Sequence, residues 1–275
     1  MAGIAPRFLT GSRGRILAVL RIPRASSGSS VLLVAPFAEE MNKTRRLFAD
    51  ATQALAAHGL ATVLPDLYGT GDSDGEFRDA DWGGWQDDLL RTVAWAGEEG
   101  WPVRALLCVR LGCILGAQLA AGSLTGLQRT AFWQPVIDGE RHLVQFLRLR
   151  VAAGMMDAQR AETVQQLRER LRGGETLEVS GYELGPRLAA ELAGLRLAEH
   201  LGPRLGGVRW LEVVRSVQDS LPEPSERLIS QARTSGLSIA GEQVAGEPFW
   251  SSTEIVRNAA LVERTAEFLA PVRVA

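Results

Sequence analysis

Short runs of apolar, mostly β-branched residues alternate with longer stretches of helical periodicity along most of this chain. The runs predict strands over Ile16–Ile22, Ser30–Pro36, Ala61–Pro65, Ala105–Val109, Arg129–Trp133, Val208–Val214 and Leu237–Val244. Helices are predicted between them, for example Thr44–His58, which Gly59 ends, and Trp82–Glu99, which Gly100 ends. Such alternation is typical of a mostly parallel sheet that is covered by helices on both faces. The chain is therefore predicted to be an α/β protein.

The strand signal disappears between Asp138 and Gly207, where arginine-rich amphipathic stretches predict helices over Ala158–Leu171 and Pro186–Leu201. We expect residues 138–207 to form a helical cap that is inserted into a single domain spanning residues 1–275. The insertion follows a strand of the predicted sheet, so it is expected to lie over the carboxyl ends of the strands. Open α/β sheets bind their ligands at that edge.

Composition and charge exclude several classes of function. The formal net charge is −2 and the arginines are scattered, which argues against nucleic-acid binding. No apolar run approaches the roughly 18 residues of a membrane span, and the first residues lack a signal-peptide pattern, so we expect a cytoplasmic protein. The two cysteines, Cys108 and Cys113, lie at a strand end and in the following helix, which disfavours a disulfide or a metal site. The sequence indicates no cofactor, and it leaves the oligomeric state open.

Three motifs occur together in this chain: PFAEEMNK at residues 36–43, DLYGTGDSDG at 66–75 and PFWSSTEI at 248–255. In this combination the chain resembles the exosortase A system-associated hydrolases over most of its length outside the cap. The first and third motifs are fairly specific, whereas many α/β-hydrolases share the second. The resemblance implies an α/β-hydrolase fold and a link to bacterial loci for exopolysaccharide export and protein sorting.

In hydrolases of this fold, a sharp turn from a strand into a helix carries the nucleophilic serine between small residues. Here the corresponding position is Arg110, and Cys108 and Gly112 are the small flanking residues. An arginine is always charged and has no electron pair with which to attack a carbonyl. The sequence therefore predicts that the turn is kept and that the nucleophile is absent from it.

The other catalytic positions are assigned by their place after the later strands. Asp219 follows the strand at 208–214 and occupies the position of the catalytic acid, while Glu247 stands where the histidine is expected. We predict an ion cluster of Arg110, Asp219 and Glu247, because an arginine forms charge-assisted hydrogen bonds with carboxylates. The cluster either anchors an anionic ligand group or is only a buried scaffold ion pair. If the protein is catalytic, Arg110 is the electrostatic stabiliser and the two carboxylates orient it or act as acid and base.

Four further residues are candidates for ligand binding. Glu39 and Glu40 follow an early strand, in the loop that contributes an oxyanion-hole amide in hydrolases. Two acids there are either solvated or paired with a neighbour such as Lys43 or Arg45, or one of them joins Arg110 or receives a cationic or hydroxyl-rich ligand. Phe249 and Trp250 adjoin Glu247 and either line a pocket wall or pack against the last helix.

Two classes of function remain open at this stage. One is a hydrolase that acts on an ester or another acyl bond of a small-molecule or saccharide substrate, as the family resemblance implies. The other is a non-catalytic protein of the same fold that binds a ligand or a protein partner, which the missing serine and histidine favour.

Overall fold

A computed structural model describes residues 3–25, 27–154 and 162–270 of the 275-residue chain. The strands in these ranges are β1 (Gly3–Thr10), β2 (Arg15–Ile22), β3 (Ser30–Val34), β4 (Ala61–Pro65), β5 (Val103–Val109), β6 (Arg129–Trp133), β7 (Leu177–Val179), β8 (Tyr182–Leu184), β9 (Gly207–Val214) and β10 (Ile239–Ala245). The α-helices are α1 (Glu39–Ala57), α2 (Trp82–Glu98), α3 (Gly112–Ala121), α4 (Gly139–Gly154), α5 (Val164–Arg172), α6 (Pro186–Gly194), α7 (Glu223–Thr234) and α8 (Ala259–Leu269). None of the described helices is both long enough and apolar enough to cross a membrane.

Eight of these strands form one sheet in the order β1-β2-β4-β3-β5-β6-β9-β10. The pairs from β4 to β10 are parallel, while β1 and β2 add two antiparallel strands at one edge. The predicted mostly parallel sheet is thus confirmed. The sequence reading missed β1, because most of its side chains are exposed and it lacks the apolar pattern of a core strand.

The central strands are buried on both faces of the sheet. Leu32 belongs to the core on the face of α2 and α3, whereas its neighbour Leu33 belongs to the core on the face of α1 and α8. Leu106 and Leu107 of β5 divide in the same way. Successive side chains of a strand point to opposite faces, so a continuous apolar run fills two cores at once.

The segment between β6 and β9 contains α4, α5, the β7–β8 hairpin and α6. Helix α5 begins at Val164, and residues 158–161 of the predicted helix lie outside the described ranges. Helix α6 begins at Pro186 as expected but ends at Gly194, before a separate 3₁₀ turn over Leu197–His200. The hairpin was not predicted, because its strands have three residues each.

Candidate functional site

The predicted sharp turn is present where β5 ends and α3 begins. Arg110 adopts a φ of +54°, a left-handed conformation that is uncommon for a residue with a side chain. Its backbone N–H donates to the carbonyl of Trp133 at 2.9 Å, and its own carbonyl accepts from the N–H of Val136 at 3.2 Å. Because these bonds join the turn to β6 and to the segment after it, the neighbouring strand holds Arg110 in this conformation.

Two glycines of α3 let the helix approach the sheet closely. A Cβ atom on Gly112 would lie 2.5 Å from the carbonyl oxygen of Ala35, and one on Gly116 would lie 2.4 Å from Sγ of Cys108. Neither distance is compatible with a side chain, so both positions require glycine in this arrangement. The small residues recognised in the sequence therefore serve the packing of the turn.

The side chain of Arg110 is buried against Glu40, in the first turn of α1. Its Nε lies 3.2 Å and its Nη2 lies 3.1 Å from Oε1 of Glu40, while Nη1 donates to the carbonyl of Gln134 at 3.2 Å. The guanidinium carbon also lies 4.8 Å from the ring centroid of Trp250. Since all three guanidinium nitrogens have partners, the side chain of Arg110 is held in one position beside the turn.

The predicted cluster of Arg110 with Asp219 and Glu247 is wrong. The side chain of Glu247 is 62 % exposed and pairs with Arg215 at 3.3 Å, and Asp219 is exposed on the loop after β9. Glu40 supplies the carboxylate instead, which is one of the alternatives considered for the two acids after β3. The reason is the sheet order: β3 lies next to β5, so the start of α1 lies beside the turn at Arg110.

A cavity of about 190 Å³ adjoins the Arg110–Glu40 pair. Its wall includes Glu39 and Lys43 of α1, His142 and Phe146 of α4, and Trp250. Glu39, Glu40 and Trp250 thus line one pocket, and their role in binding stays a prediction. Phe249 does not line it: that side chain is only 1 % exposed and packs at 6.3 Å, centroid to centroid, against the buried ring of Trp133.

His142 is a titratable residue of this pocket that the sequence analysis did not assign to the site. Its side chain is buried, and neither ring nitrogen has a hydrogen-bond partner among the described residues. Burial, together with the nearby charge of Arg110, lowers the pKa of His142 to about 3, so the imidazole is neutral at physiological pH. The available signal was its place in the first turn of the helix that follows β6, where a side chain can reach the carboxyl edge of the sheet.

Burial also shifts the pKa values of the two acidic side chains in this pocket. Burial raises the pKa of Glu40, and the guanidinium of Arg110 opposes that shift. Burial and the adjacent charge of Glu40 raise the pKa of Glu39. Oε2 of Glu39 has no hydrogen-bond partner in the described part of the chain, and its Oε1 lies 4.0 Å from Nζ of Lys43. The pocket thus holds two acidic and two basic side chains beside one neutral imidazole.

Comparison with known proteins gives matches in structure only. No protein-family model matches the chain, and no curated protein matches it in sequence. Est1E from Butyrivibrio proteoclasticus, solved with ferulic acid bound, superposes with a TM-score of 0.61 at 16 % identity, covering 95 % of both chains. The esterase domain of a Rhodothermus marinus protein covers 98 % of this chain and 96 % of its own, with a TM-score of 0.58 at 15 % identity. Mouse alpha/beta hydrolase domain-containing protein 10 covers 95 % of both chains, with a TM-score of 0.59 at 14 % identity.

The chain has an α/β-hydrolase fold. In α/β-hydrolases the nucleophile stands on a sharp strand-to-helix turn of the kind that holds Arg110. Fold alone does not carry an activity, so the function must be argued from the residues that occupy the site. The resemblance to exosortase A system-associated hydrolases stays a prediction.

Proposed function

We propose that this protein is a non-catalytic member of the α/β-hydrolase fold that binds a small molecule in the pocket beside Arg110. The observation that carries the proposal is the side chain at the nucleophile position, a buried arginine whose nitrogens are bonded to Glu40 and Gln134. A guanidinium has no electron pair for attack and does not lose its proton in proteins.

The positions of the histidines support the same proposal. A serine-type mechanism needs a base within hydrogen-bond reach of the nucleophile, and in this fold the base follows the last strand. His58 lies at the end of α1, His142 in α4 and His200 in the 3₁₀ turn after α6. The loop between β10 and α8 has no histidine, and its Glu247 is paired with Arg215 at the surface.

The volumes of the two cavities beside the turn indicate which of them would hold the ligand. The cavity lined by Leu111, Gly112, Trp82 and Trp85 has a volume of about 30 Å³, roughly the share of one water molecule in the liquid. The larger pocket, by contrast, is bounded by α1, by Trp250 and by α4 of the 138–207 segment. We therefore assign the ligand to the pocket that contains His142 and treat residues 138–207 as its cap.

The alternative is a hydrolase, as the family resemblance implies, in which Arg110 stabilises developing negative charge and Asp219 and Glu247 orient it or act as acid and base. Both carboxylates are exposed, which disfavours those roles. The resemblance adds a context to the proposal: it implies that the binding protein belongs to a bacterial system for exopolysaccharide export and protein sorting. A cytoplasmic location stays an expectation from the sequence.

The test is hydrolysis of p-nitrophenyl esters from acetate to octanoate by the purified protein, beside Arg110→Ala and the control Arg215→Ala. Arg215 is an exposed arginine outside the pocket, so its variant controls for loss of an arginine and for contaminating esterases. We expect rates at the buffer background in all three proteins. Turnover above background that is lost in Arg110→Ala and kept in Arg215→Ala overturns the proposal.

A further inference from the structure

The pocket beside Arg110 contains a buried polar group that the protein itself does not satisfy. The side chain of His142 is 5 % exposed, and both of its ring nitrogens lack a hydrogen-bond partner among the described residues. Its ring packs edge-on against Phe37 at 5.8 Å, which fixes the ring while leaving the nitrogens unsatisfied. Buried polar groups are nearly always hydrogen-bonded, so an unpaired imidazole in a cavity wall indicates a missing partner.

The charged groups around His142 leave little attraction for a charged ligand. The guanidinium of Arg110 is engaged by Glu40 and Gln134, so its charge is already compensated. Lys43 and Glu39 face the same cavity with opposite charges, 4.0 Å apart. An anion entering the pocket would approach two carboxylates, and a cation would approach Arg110 and Lys43.

We propose that the pocket binds an uncharged ligand through a hydroxyl group that pairs with His142, an inference that rests on the binding function proposed above. A neutral imidazole offers one donor and one acceptor. A hydroxyl group can pair with either ring nitrogen, because it accepts from the N–H and donates to the bare nitrogen, whereas a carboxylate can pair only with the N–H and an ammonium only with the bare nitrogen. The free Oε2 of Glu39 adds a second acceptor for a ligand O–H in the same wall.

The size and the apolar wall of the pocket limit the rest of the ligand. A volume of about 190 Å³ equals the share of about six water molecules in the liquid and lies below the ~300 Å³ of a drug-sized site. Phe37, Phe146 and Trp250 form an apolar and aromatic wall. A ligand with one six-membered ring and a hydroxyl substituent matches both properties.

The experiment compares matched compounds that differ only in the polar group. The probes are cyclohexylmethanol, benzyl alcohol and tetrahydropyran-2-methanol, each beside the carboxylate and the amine on the same ring. Binding to the 275-residue protein at pH 7 is measured by ligand-observed saturation-transfer NMR, with affinities in about the millimolar range expected for ligands of this size. We expect the alcohols to bind at least about tenfold more tightly than both charged partners, the factor that loss of one good hydrogen bond produces.

Two substitutions at His142 separate hydrogen bonding from shape. His142→Phe keeps an aromatic ring and removes both nitrogens, so alcohol binding should fall at least about tenfold, while His142→Asn keeps a donor and an acceptor and should retain part of it. His200→Phe, outside this pocket, and the exposed His58→Gln are the controls and should bind like the wild type. Circular dichroism shows whether His142→Phe is folded. If it is not, the test is instead a titration of the wild-type protein with the alcohol, in which the ring ¹⁵N shifts of His142 should move.

Several results contradict the inference: tightest binding of a carboxylate or an amine, unchanged alcohol binding in folded His142→Phe, ring ¹⁵N shifts that do not move, or no binding by any alcohol. None of these results bears on the expected lack of ester hydrolysis. Conversely, hydrolysis that depends on Arg110 overturns the proposed function while the preference for hydroxyl compounds is measured independently. The two failures are thus distinguishable.

Discussion

Replacing Arg110 with methionine should destabilise the protein strongly at neutral pH and much less in mild acid. Arg110 is 8 % exposed and Glu40 is 6 % exposed, so Arg110→Met leaves a buried carboxylate without its counter-charge. Breaking a buried ion pair from one side typically costs about 3–5 kcal/mol. Lys43 is close enough to oppose part of the rise in the pKa of Glu40, so we expect the lower part of that range.

The loss of stability in Arg110→Met depends on pH, because protonation of Glu40 sets an upper limit on the cost of leaving it without a counter-charge. A carboxylate without a counter-charge can take up a proton instead of remaining ionised. From its ordinary pKa of 4.5, neutralising Glu40 costs about 1.36 kcal/mol for each pH unit above that value, which is about 3.4 kcal/mol at pH 7 and about 0.7 kcal/mol at pH 5. In the variant, the folded state binds more protons than the unfolded state in this range, so stability is regained as pH falls. The loss relative to the wild type should therefore shrink by up to about 2.7 kcal/mol between pH 7 and pH 5.

The assay is urea unfolding at pH 5 and pH 7, with free energies of unfolding taken from the midpoint and slope. Glu40→Leu combined with Arg110→Met removes both charges and should be close to the wild type or more stable. The control Arg215→Met breaks the exposed pair with Glu247 and should change stability by less than about 1 kcal/mol. A loss below about 1 kcal/mol for Arg110→Met at pH 7, or an equal loss at both pH values, would refute the reasoning.

Three further predictions concern the same region. In the unfolded chain the imidazole of His142 takes up a proton below its ordinary pKa of 6.5, whereas in the folded protein its pKa is about 3. The contribution of His142 to the free energy of unfolding should therefore fall by about 3 kcal/mol from pH 7 to pH 4. That decrease should be absent from His142→Phe in urea unfolding, and an equal decrease in both proteins would contradict it. Gly112→Ala and Gly116→Ala should each lower the free energy of unfolding by about 1–3 kcal/mol or more. Gly97→Ala has open space at its Cβ and should raise the free energy of unfolding by up to about 1 kcal/mol. Equal thermal stability of the three variants would exclude this packing argument. Glu247→Gln should shift the free energy of unfolding by no more than about 0.5 kcal/mol, and a larger loss would mean that its exposed ion pair is more important than its surroundings indicate.

The sheet and the turn at Arg110 were predictable because they depend on local patterns. Continuous apolar runs such as Val31–Val34 identify strands that are buried on two faces, and the glycines at 112 and 116 follow from the close approach of α3. Strand β1 escaped prediction because it adds to an edge, where side chains are exposed and apolar residues are not required. The β7–β8 hairpin escaped because its only local signal is the turn at Ser180 and Gly181, both with positive φ.

The partner of Arg110 was harder to predict, since it depends on where α1 begins. The helix was expected from Thr44, but it starts at Glu39 and places Glu40 in its first turn. The preceding residue is Ala38, which has no capping side chain, so the usual sequence signal for a helix start is missing. Two adjacent acids without such a signal resemble a solvated loop, and only the pairing of β3 with β5 brings one of them to Arg110.

The Arg110–Glu40 pair follows from the fold once an arginine occupies this turn. The left-handed backbone at residue 110 is held by hydrogen bonds to β6 and by the close packing of α3, none of which involves the side chain. Whatever side chain stands there is directed to the edge of the sheet where α1 begins and where α4 passes. A buried guanidinium at that edge requires a carboxylate, and Glu40 is adjacent. That pairing uses the nitrogens of Arg110, so the neutral imidazole of His142 and Oε2 of Glu39 are the pocket's buried polar groups that lack a partner among the described residues.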